Sequence, residues 1–140
     1  MRERAIPSSL RLLAVLLALA IATAMIAGGV IYVETKRASR VQANAMTRGD
    51  GQRGRVAIAR YGCGGCHVIG GITGANGSVG PDLTRVAERS EIAGKLPNDP
   101  DAMVRWLMHP QAIAPGSGMP EMGISQAEAR DIAAFLYGGQ

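Results

Sequence analysis

The chain has 140 residues, with 15 Lys or Arg against 11 Asp or Glu, a net charge of +4 at pH 7 and an aromatic content of 4%. The charge is divided unevenly, because residues 34–60 carry a net +5 and residues 61–140 a net −3. The basic character therefore belongs to the first 60 residues, and no nucleic acid is expected as a partner. The two cysteines exclude a framework of several disulfides.

An uncharged apolar run from Leu12 to Val33 predicts a transmembrane helix. Its 22 residues would extend about 33 Å as an α-helix, which is enough to cross a bilayer. A cleaved signal peptide is the alternative, because Ala22-Thr23-Ala24 would serve as a small-residue cleavage site. The apolar run continues past that site. An uncleaved single-pass anchor over residues 12–33 is therefore favoured, with residues 1–11 as a cytoplasmic tail.

Residues 34–51 are predicted to form a basic stalk. Neither Gly nor Pro occurs between Val30 and Arg48, which allows the membrane helix to continue into this stalk. Residues 52–140 then form a head domain. The head is small for a self-sufficient hydrophobic core and poor in aromatic residues, so a buried cofactor would supply apolar bulk.

Capping signals and apolar spacing predict an all-α head with no convincing strand. In chain order, the predicted helices cover residues 52–60, residues 84–89, a segment that opens at Asn98 or Asp99 and ends before Pro110, and a segment that opens at Ser125 and stops at Gly138. The third helix has Pro100 in its first turn. The fourth opens with Ser125-Gln126-Ala127-Glu128, a capping box in which Ser and Glu satisfy backbone N–H groups reciprocally.

The residues Cys63-Gly64-Gly65-Cys66-His67 carry the most specific chemical signal. Cys-x-x-Cys-His is the pattern of c-type haem attachment, with two thiols for thioether bonds and an imidazole for the iron. A redox-active thiol pair would need a βαβ pattern around it, and none is visible. A zinc site would need both His67 and His109, which lie 42 residues apart. One haem c, attached through Cys63 and Cys66 with His67 on the iron, is expected.

A loop between the third and fourth predicted helices offers a ligand for the other side of the iron. Met119 and Met122 lie in this loop, where neighbouring Gly and Pro residues can hold a thioether at a fixed point. The other methionines lie in or near the anchor and stalk or on the third helix. Core packing explains the two on the third helix, Met103 and Met108. The residues alone leave Met119 and Met122 open as candidates, with His109 as a third.

Residues 52–140 resemble the class I cytochrome c family. The resemblance is carried by Gly54, the Cys63–His67 motif, Gly80-Pro81-Asp82-Leu83, Met119-Pro120 and the final amphipathic helix. It implies a class I cytochrome c fold around one covalent haem, preceded here by the single transmembrane helix. It also implies that Met119 is the axial ligand opposite His67, and that the Pro81 carbonyl accepts a hydrogen bond from the His67 ring.

Two further features refine the resemblance. Trp106-Leu107-Met108-His109-Pro110, followed by the Met119 loop, is most similar to cytochrome domains associated with haem-copper terminal oxidases. Ile58 departs from the family, whose members commonly have an aromatic residue at about this position. We therefore expect an aliphatic contact between the first and last helices of the head.

A haem with His and Met ligands has no vacant position, and carries single electrons without bond chemistry of its own. The resemblance implies an electron carrier rather than an enzyme, with no small-molecule substrate. The expected redox partners are a quinol-oxidising complex (quinol–cytochrome c reductase) and a terminal oxidase, and the chain would be a carrier between them or a subunit of either. The alternative is a haem-based gas sensor, which needs an open or displaceable sixth ligand.

The chemistry of haem attachment predicts the side of the membrane. Basic residues flank the apolar run on both sides, so the positive-inside count does not decide its orientation. Covalent haem attachment in bacteria takes place on the outer side of the inner membrane. We therefore expect a single-pass protein of the bacterial inner membrane with its haem domain in the periplasm.

Overall fold

The computed structural model describes residues 7–139, so residues 1–6 of the predicted cytoplasmic tail lie outside the described residues. The first element is one helix, α1 (Ser8–Thr47), of 40 residues. By length and composition it is able to cross a membrane. Its large apolar side chains from Leu10 to Val33 are half or more exposed, which is the pattern that a lipid-facing helix requires.

The last turns of α1 belong to the head. The chain divides into two compact units between Thr35 and Lys36. Within the second unit, Ala43 of α1 is fully buried, at 0% exposure, and the Asn44 side-chain oxygen accepts a hydrogen bond from the Gly51 N–H at 3.0 Å. The helix thus continues into the predicted stalk, as expected, and its end packs on the head. The boundaries of the predicted segments stay predictions.

The head is built mainly from short helices. They are α2 (Gly51–Arg60), α3 (Pro100–Met108), α4 (Pro110–Ile113) and α5 (Gln126–Tyr137), with 3-10 turns at Cys63–Gly65 and Val86–Glu88. Helices α2, α3 and α5 confirm the first, third and fourth predicted helices. The helix predicted over 84–89 is wrong, because that segment forms only a 3-10 turn. Helix α4 has no counterpart among the predicted elements.

Side-chain caps explain where α2 and α3 begin. The Asp50 carboxylate accepts a hydrogen bond from the Gln52 N–H at 2.8 Å. The Asp99 carboxylate accepts one from the Ala102 N–H at 2.7 Å. Each satisfies an N–H group that the first turn of the helix leaves without an intrahelical partner.

The predicted capping box is present at the start of α5 and also ties α5 to the end of α2. The Ser125 side chain and backbone bond reciprocally with Glu128, and the Tyr61 hydroxyl donates to the Glu128 carboxylate at 2.8 Å. The hydrogen bond from the Ser125 side chain, followed in size of effect by that from Tyr61, lowers the pKa of Glu128 to about 2. The carboxylate that joins these helix ends is therefore ionised at neutral pH.

The expectation of a head without strands is wrong at one place. Strands β1 (Glu91–Ile92) and β2 (Leu96–Pro97) pair antiparallel, with Ile92 opposite Leu96. Ala93 and Gly94 between them have φ angles of 54° and 63°, which is the backbone of a tight hairpin turn. Alanine rarely adopts a positive φ, so Ala-Gly is a poor turn signal in a sequence. The all-α class is confirmed apart from this hairpin.

Helices α2 and α5 pack together at unusually short range around Gly54. A Cβ atom at residue 54 would overlap the Asp131 backbone carbonyl and lie 2.9 Å from the Ile132 nitrogen. Ile58 and Ile132 are each 1% exposed and belong to the same buried cluster. The expected aliphatic contact between the first and last helices of the head is therefore confirmed.

A buried carboxylate on α5 reinforces this contact. Asp131 accepts hydrogen bonds from the Asp50 N–H at 2.7 Å and from Arg53 Nε and Nη2 at 2.8 and 2.9 Å. Burial raises the pKa of Asp131, but the hydrogen bonds and charge of Arg53 outweigh it and leave the pKa below its ordinary value. The start of α2 is thereby fixed to the middle of α5.

Gly54→Ala should destabilise the head because the added methyl group meets backbone atoms, which cannot rotate away. We expect the free energy of unfolding to fall by about 1–3 kcal/mol, the usual cost of overpacking. Gly65→Ala is the matched control, since nothing lies within 4 Å of a Cβ at that residue. Denaturant unfolding of both holoproteins measures the difference, and equal stability of the two variants would contradict the packing argument.

Candidate functional site

The predicted site residues meet at one cavity in the head. The cavity has a volume of about 470 Å³, and its lining includes Cys63, Cys66, His67, Pro81 and Met119. Most of the other lining side chains are apolar, and they come from α2, α3, α5 and the loops between them. The structure therefore brings together all five residues that the sequence singled out, from segments that lie up to 56 positions apart.

The two rival ligand candidates are placed differently. Met122 lines the same cavity as Met119. His109 is exposed at the junction of α3 and α4, and among the described residues it is not part of the cavity lining. The donor set that a zinc site would need, with both histidines beside the cysteines, is not assembled.

The Cys63–His67 motif is held in a tight turn at the end of α2. Gly62 has a φ of 67° and turns the chain into the 3-10 turn Cys63–Gly65. The N–H groups of Cys66 and His67 both donate to the Cys63 carbonyl, at 3.2 and 3.0 Å. A Cβ at Gly64 would lie 2.8 Å from Ala75 Cα, so this side of the turn fits only glycine.

Backbone contacts fix the ring of His67. Its Nδ1 lies 2.7 Å from the Pro81 carbonyl oxygen. Because a carbonyl only accepts hydrogen bonds, Nδ1 carries the proton and Nε2 keeps its lone pair for a metal. The Gly80 N–H donates to the Cys66 carbonyl at 2.7 Å, and a Cβ at Gly80 would overlap the imidazole. The hydrogen bond that the resemblance implied is present, and Gly80 leaves room for the ring.

The raised pKa of the Cys63 thiol argues against a reactive thiol pair at the motif. Burial raises the pKa of the Cys63 thiol, whereas a reactive thiol pair needs a lowered pKa to supply thiolate. The half-buried Cys63 sulfur beside a mainly apolar cavity suits a covalent link to an apolar cofactor.

Aromatic and basic side chains complete the rim of the cavity. Trp106 and Tyr61 both line it. Arg89 lines it as well and donates a hydrogen bond to the Asp82 carbonyl. Arg85 is exposed and pairs with Glu88 at 3.7 Å. Arg89, and not Arg85, is therefore the arginine beside the cavity.

Sequence reasoning missed one residue, Gln111, which holds the Met119 loop. The Gln111 side-chain amide donates hydrogen bonds to the backbone carbonyls of Met119 and Ser117, at 2.6 and 2.8 Å. Its position directly after Pro110, at the start of a helix of 4 residues, gave no signal of this role.

The residues present fit a haem. A volume of about 470 Å³ lies within the roughly 300–1,000 Å³ range of cofactor sites, which are also mainly apolar. Two thiols, an imidazole with a free Nε2 and a thioether are the donors that a c-type haem uses. His67 and Met119 would hold the iron, and Cys63 and Cys66 the porphyrin.

Comparison with known proteins agrees with this assembly of residues. The family model for cytochrome c matches residues 51–139. The chain belongs to the cytochrome c family. Cytochrome c domains transfer electrons and bind haem covalently through the cysteines of their motif. The chain is also 34% identical, over 85 residues, to a protein of Alkalihalophilus pseudofirmus named cytochrome c oxidase subunit 2.

This cytochrome c chain spans about a quarter of the length of that relative, since the match covers 60% of the chain and 24% of the relative. No solved structure matches the chain.

Gly80→Ala should displace the His67 ring and break its hydrogen bond to Pro81. We expect a smaller fraction of low-spin iron in the optical spectrum, and a fall of about 1–3 kcal/mol in the free energy of unfolding, as for other overpacked sites. Gly65→Ala, in the same motif but facing open space, should match the parent in both. A Gly80→Ala protein with the parent's spectrum and stability would mean that the ring is not confined at residue 80.

Proposed function

We propose that this cytochrome c is a membrane-anchored monohaem electron carrier whose iron is closed on both sides, by His67 and Met119. The observation that carries the proposal is that His67 lines one cavity together with Cys63, Cys66 and Met119, with its Nδ1 proton directed to the Pro81 carbonyl at 2.7 Å. The cysteines hold the porphyrin through thioether bonds.

Each residue has a separate task in this proposal. The Pro81 carbonyl fixes the tautomer and the orientation of His67, and increases the basicity of the imidazole. Met119 supplies a thioether, which favours ferrous iron and raises the reduction potential. The haem supplies a one-electron ferric–ferrous couple. With both axial positions filled by the chain, no substrate site is needed, and electrons pass at an edge of the haem.

Helix α1 supports the proposed anchor, and the chemistry of haem attachment supports the proposed location of the haem domain. Its apolar length supports a single membrane span over residues 12–33. Because haem is attached outside the bacterial inner membrane, the head lies in the periplasm in this proposal, or outside the cell in a bacterium without one. The end of α1 packs on the head, so the stalk is short and largely helical and keeps the carrier near its partners.

The proposed partners are a quinol-oxidising complex as donor and a haem-copper terminal oxidase as acceptor, with this chain as carrier or as a subunit of either. The support is the similarity of 60% of the chain to a protein named cytochrome c oxidase subunit 2. Residues 61–140 carry a net −3, so a basic docking surface on a partner fits best. Such contacts are weak, transient and sensitive to salt.

Carbon monoxide tests whether the iron is closed. The optical spectrum of the reduced parent protein in membranes should not respond to carbon monoxide, because Met119 occupies the position that the gas needs. Met119→Ala should open that position and produce a carbon monoxide complex. Met122→Ala is the matched control, since it removes the second methionine of the same cavity and should leave the parent's spectrum.

Two results would contradict this assignment. A parent protein that binds carbon monoxide readily would favour the haem-based gas sensor. An opening caused by Met122→Ala and not by Met119→Ala would make Met122 the axial ligand.

Oxygen uptake by membranes tests whether this chain carries electrons between quinol and oxygen. Membranes in which Cys63 and Cys66 are both replaced by alanine should show quinol-driven oxygen uptake as low as membranes without the chain. Membranes with Gly65→Ala should retain it, and rising ionic strength should slow it because the docking contacts are charged. Undiminished uptake without the cysteines would remove this chain from the route to oxygen.

A further inference from the structure

We propose that Gln111 is the positioning residue that keeps the Met119 loop closed over the iron. This inference rests on the proposed function, in which Met119 is the axial ligand. The loop between α4 and α5 carries that ligand, and the side chain of Gln111 is bonded to several consecutive parts of it.

The contacts of Gln111 are dense. The two hydrogens of its side-chain nitrogen are shared among three acceptors, the Met119 carbonyl at 2.6 Å, the Ser117 carbonyl at 2.8 Å and the Ser117 hydroxyl at 3.2 Å. Its side-chain oxygen accepts from the Gly116 N–H at 3.1 Å. One amide therefore bonds to the loop over residues 116–119, both before the methionine and at the methionine itself.

A second bond ties the far side of the loop to the same residue. The Gln111 backbone N–H donates to the Glu121 carboxylate at 3.0 Å. Residues 116–121 are thus joined to Gln111 on both sides of Met119. Pro110, the first residue of α4, is almost completely buried, which fixes the helix from which Gln111 projects.

Met119 and Met122 pack against the core, but among the described residues few other hydrogen bonds fix the loop. Gly116 has a φ of 81°, and a Cβ at Gly118 would meet nothing within 4 Å. The Ser117 N–H donates to the Ala114 carbonyl at 3.0 Å, and the Ser117 hydroxyl donates weakly to the Met119 carbonyl at 3.3 Å. The two glycines restrain the backbone little before Met119, whereas Pro120 restrains it directly after. Gln111 supplies the bonds from outside the loop.

The bonds of Gln111 should set the equilibrium between a closed state, with Met119 on the iron, and an open state, with Met119 off it. Carbon monoxide binds only when Met119 has left the iron, so its apparent affinity is proportional to the open fraction. Removing the Gln111 amide takes away bonds made to the closed loop. From the usual worth of a few such hydrogen bonds, we expect the open fraction, and with it the carbon monoxide affinity, to rise about ten- to a hundredfold.

Two variants of Gln111 test this in the full-length holoprotein. Gln111→Leu removes every side-chain bond to the loop. Gln111→Glu keeps the size of the side chain but places a carboxylate against the oxygens of Ser117 and Met119. Both should bind carbon monoxide where the parent does not, and both should have a lower reduction potential because the thioether is on the iron for less of the time.

Two controls separate positioning from general damage. Gln126→Leu replaces an exposed glutamine at the start of α5 and should match the parent. Asn44→Ala removes the hydrogen bond from the Gly51 N–H to the end of α1, lowers stability at a residue that does not line the cavity, and should leave the iron closed to carbon monoxide. A response to carbon monoxide in the Gln111 variants without a response in Asn44→Ala therefore reports on the loop rather than on stability.

A double variant shows whether Gln111 acts through Met119. In a Met119→Ala background, Gln111→Leu should cause no further rise in carbon monoxide affinity.

If Met119→Ala itself fails to open the iron, the axial-ligand assignment fails, and this inference fails with it. If Met119→Ala opens the iron while Gln111→Leu and Gln111→Glu both keep the parent's potential and its indifference to carbon monoxide, Gln111 does not position the ligand. Should Gln111→Leu accumulate no holoprotein, Gln111→Glu decides alone.

Discussion

Helices α2 and α5 approach each other as closely as they do only because residue 54 is a glycine. The site depends on this approach in two ways. Helix α2 runs directly into the turn that presents Cys63 and His67, and α5 contributes Ile132 and Leu136 to the wall of the cavity. The buried carboxylate of Asp131 joins the two helices by direct hydrogen bonds. A shift of α2 relative to α5 would therefore move the motif relative to its cavity.

The two proposed axial ligands are held by different physical means. His67 is confined by backbone, with its ring bonded to the Pro81 carbonyl and pressed against Gly80. Met119 lies in a glycine-rich loop that depends on one side chain, Gln111, for its outside bonds. In the proposed carrier, His67 is held rigidly and Met119 is held by hydrogen bonds to its loop. This arrangement suits an electron carrier, because both ligands stay on the iron although the head is small. The loop is then the place where mutation most easily turns a carrier into a gas-binding protein.

The sequence predicted what depends on local chemistry. Helices α3 and α5 could be placed because Asp99 and Ser125 are caps for the residues that follow them, and the Cys63–His67 motif carries its meaning in five adjacent residues. Gln111 could not be predicted, because its partners are backbone carbonyls whose positions exist only after the loop has folded. The hairpin at Ala93 was missed because its positive φ is imposed by tertiary structure against the preference of alanine. Close approaches, such as that at Gly54, also appear only once the helices are packed, although the resemblance to the family had marked this glycine.

The near-infrared magnetic circular dichroism spectrum of the ferric, full-length protein tests the central claim most directly, since its charge-transfer band reports the pair of axial ligands. The account predicts one low-spin haem with the band of an imidazole and thioether pair. A high-spin spectrum, or the band of two nitrogen ligands, would contradict closure of the iron by His67 and Met119.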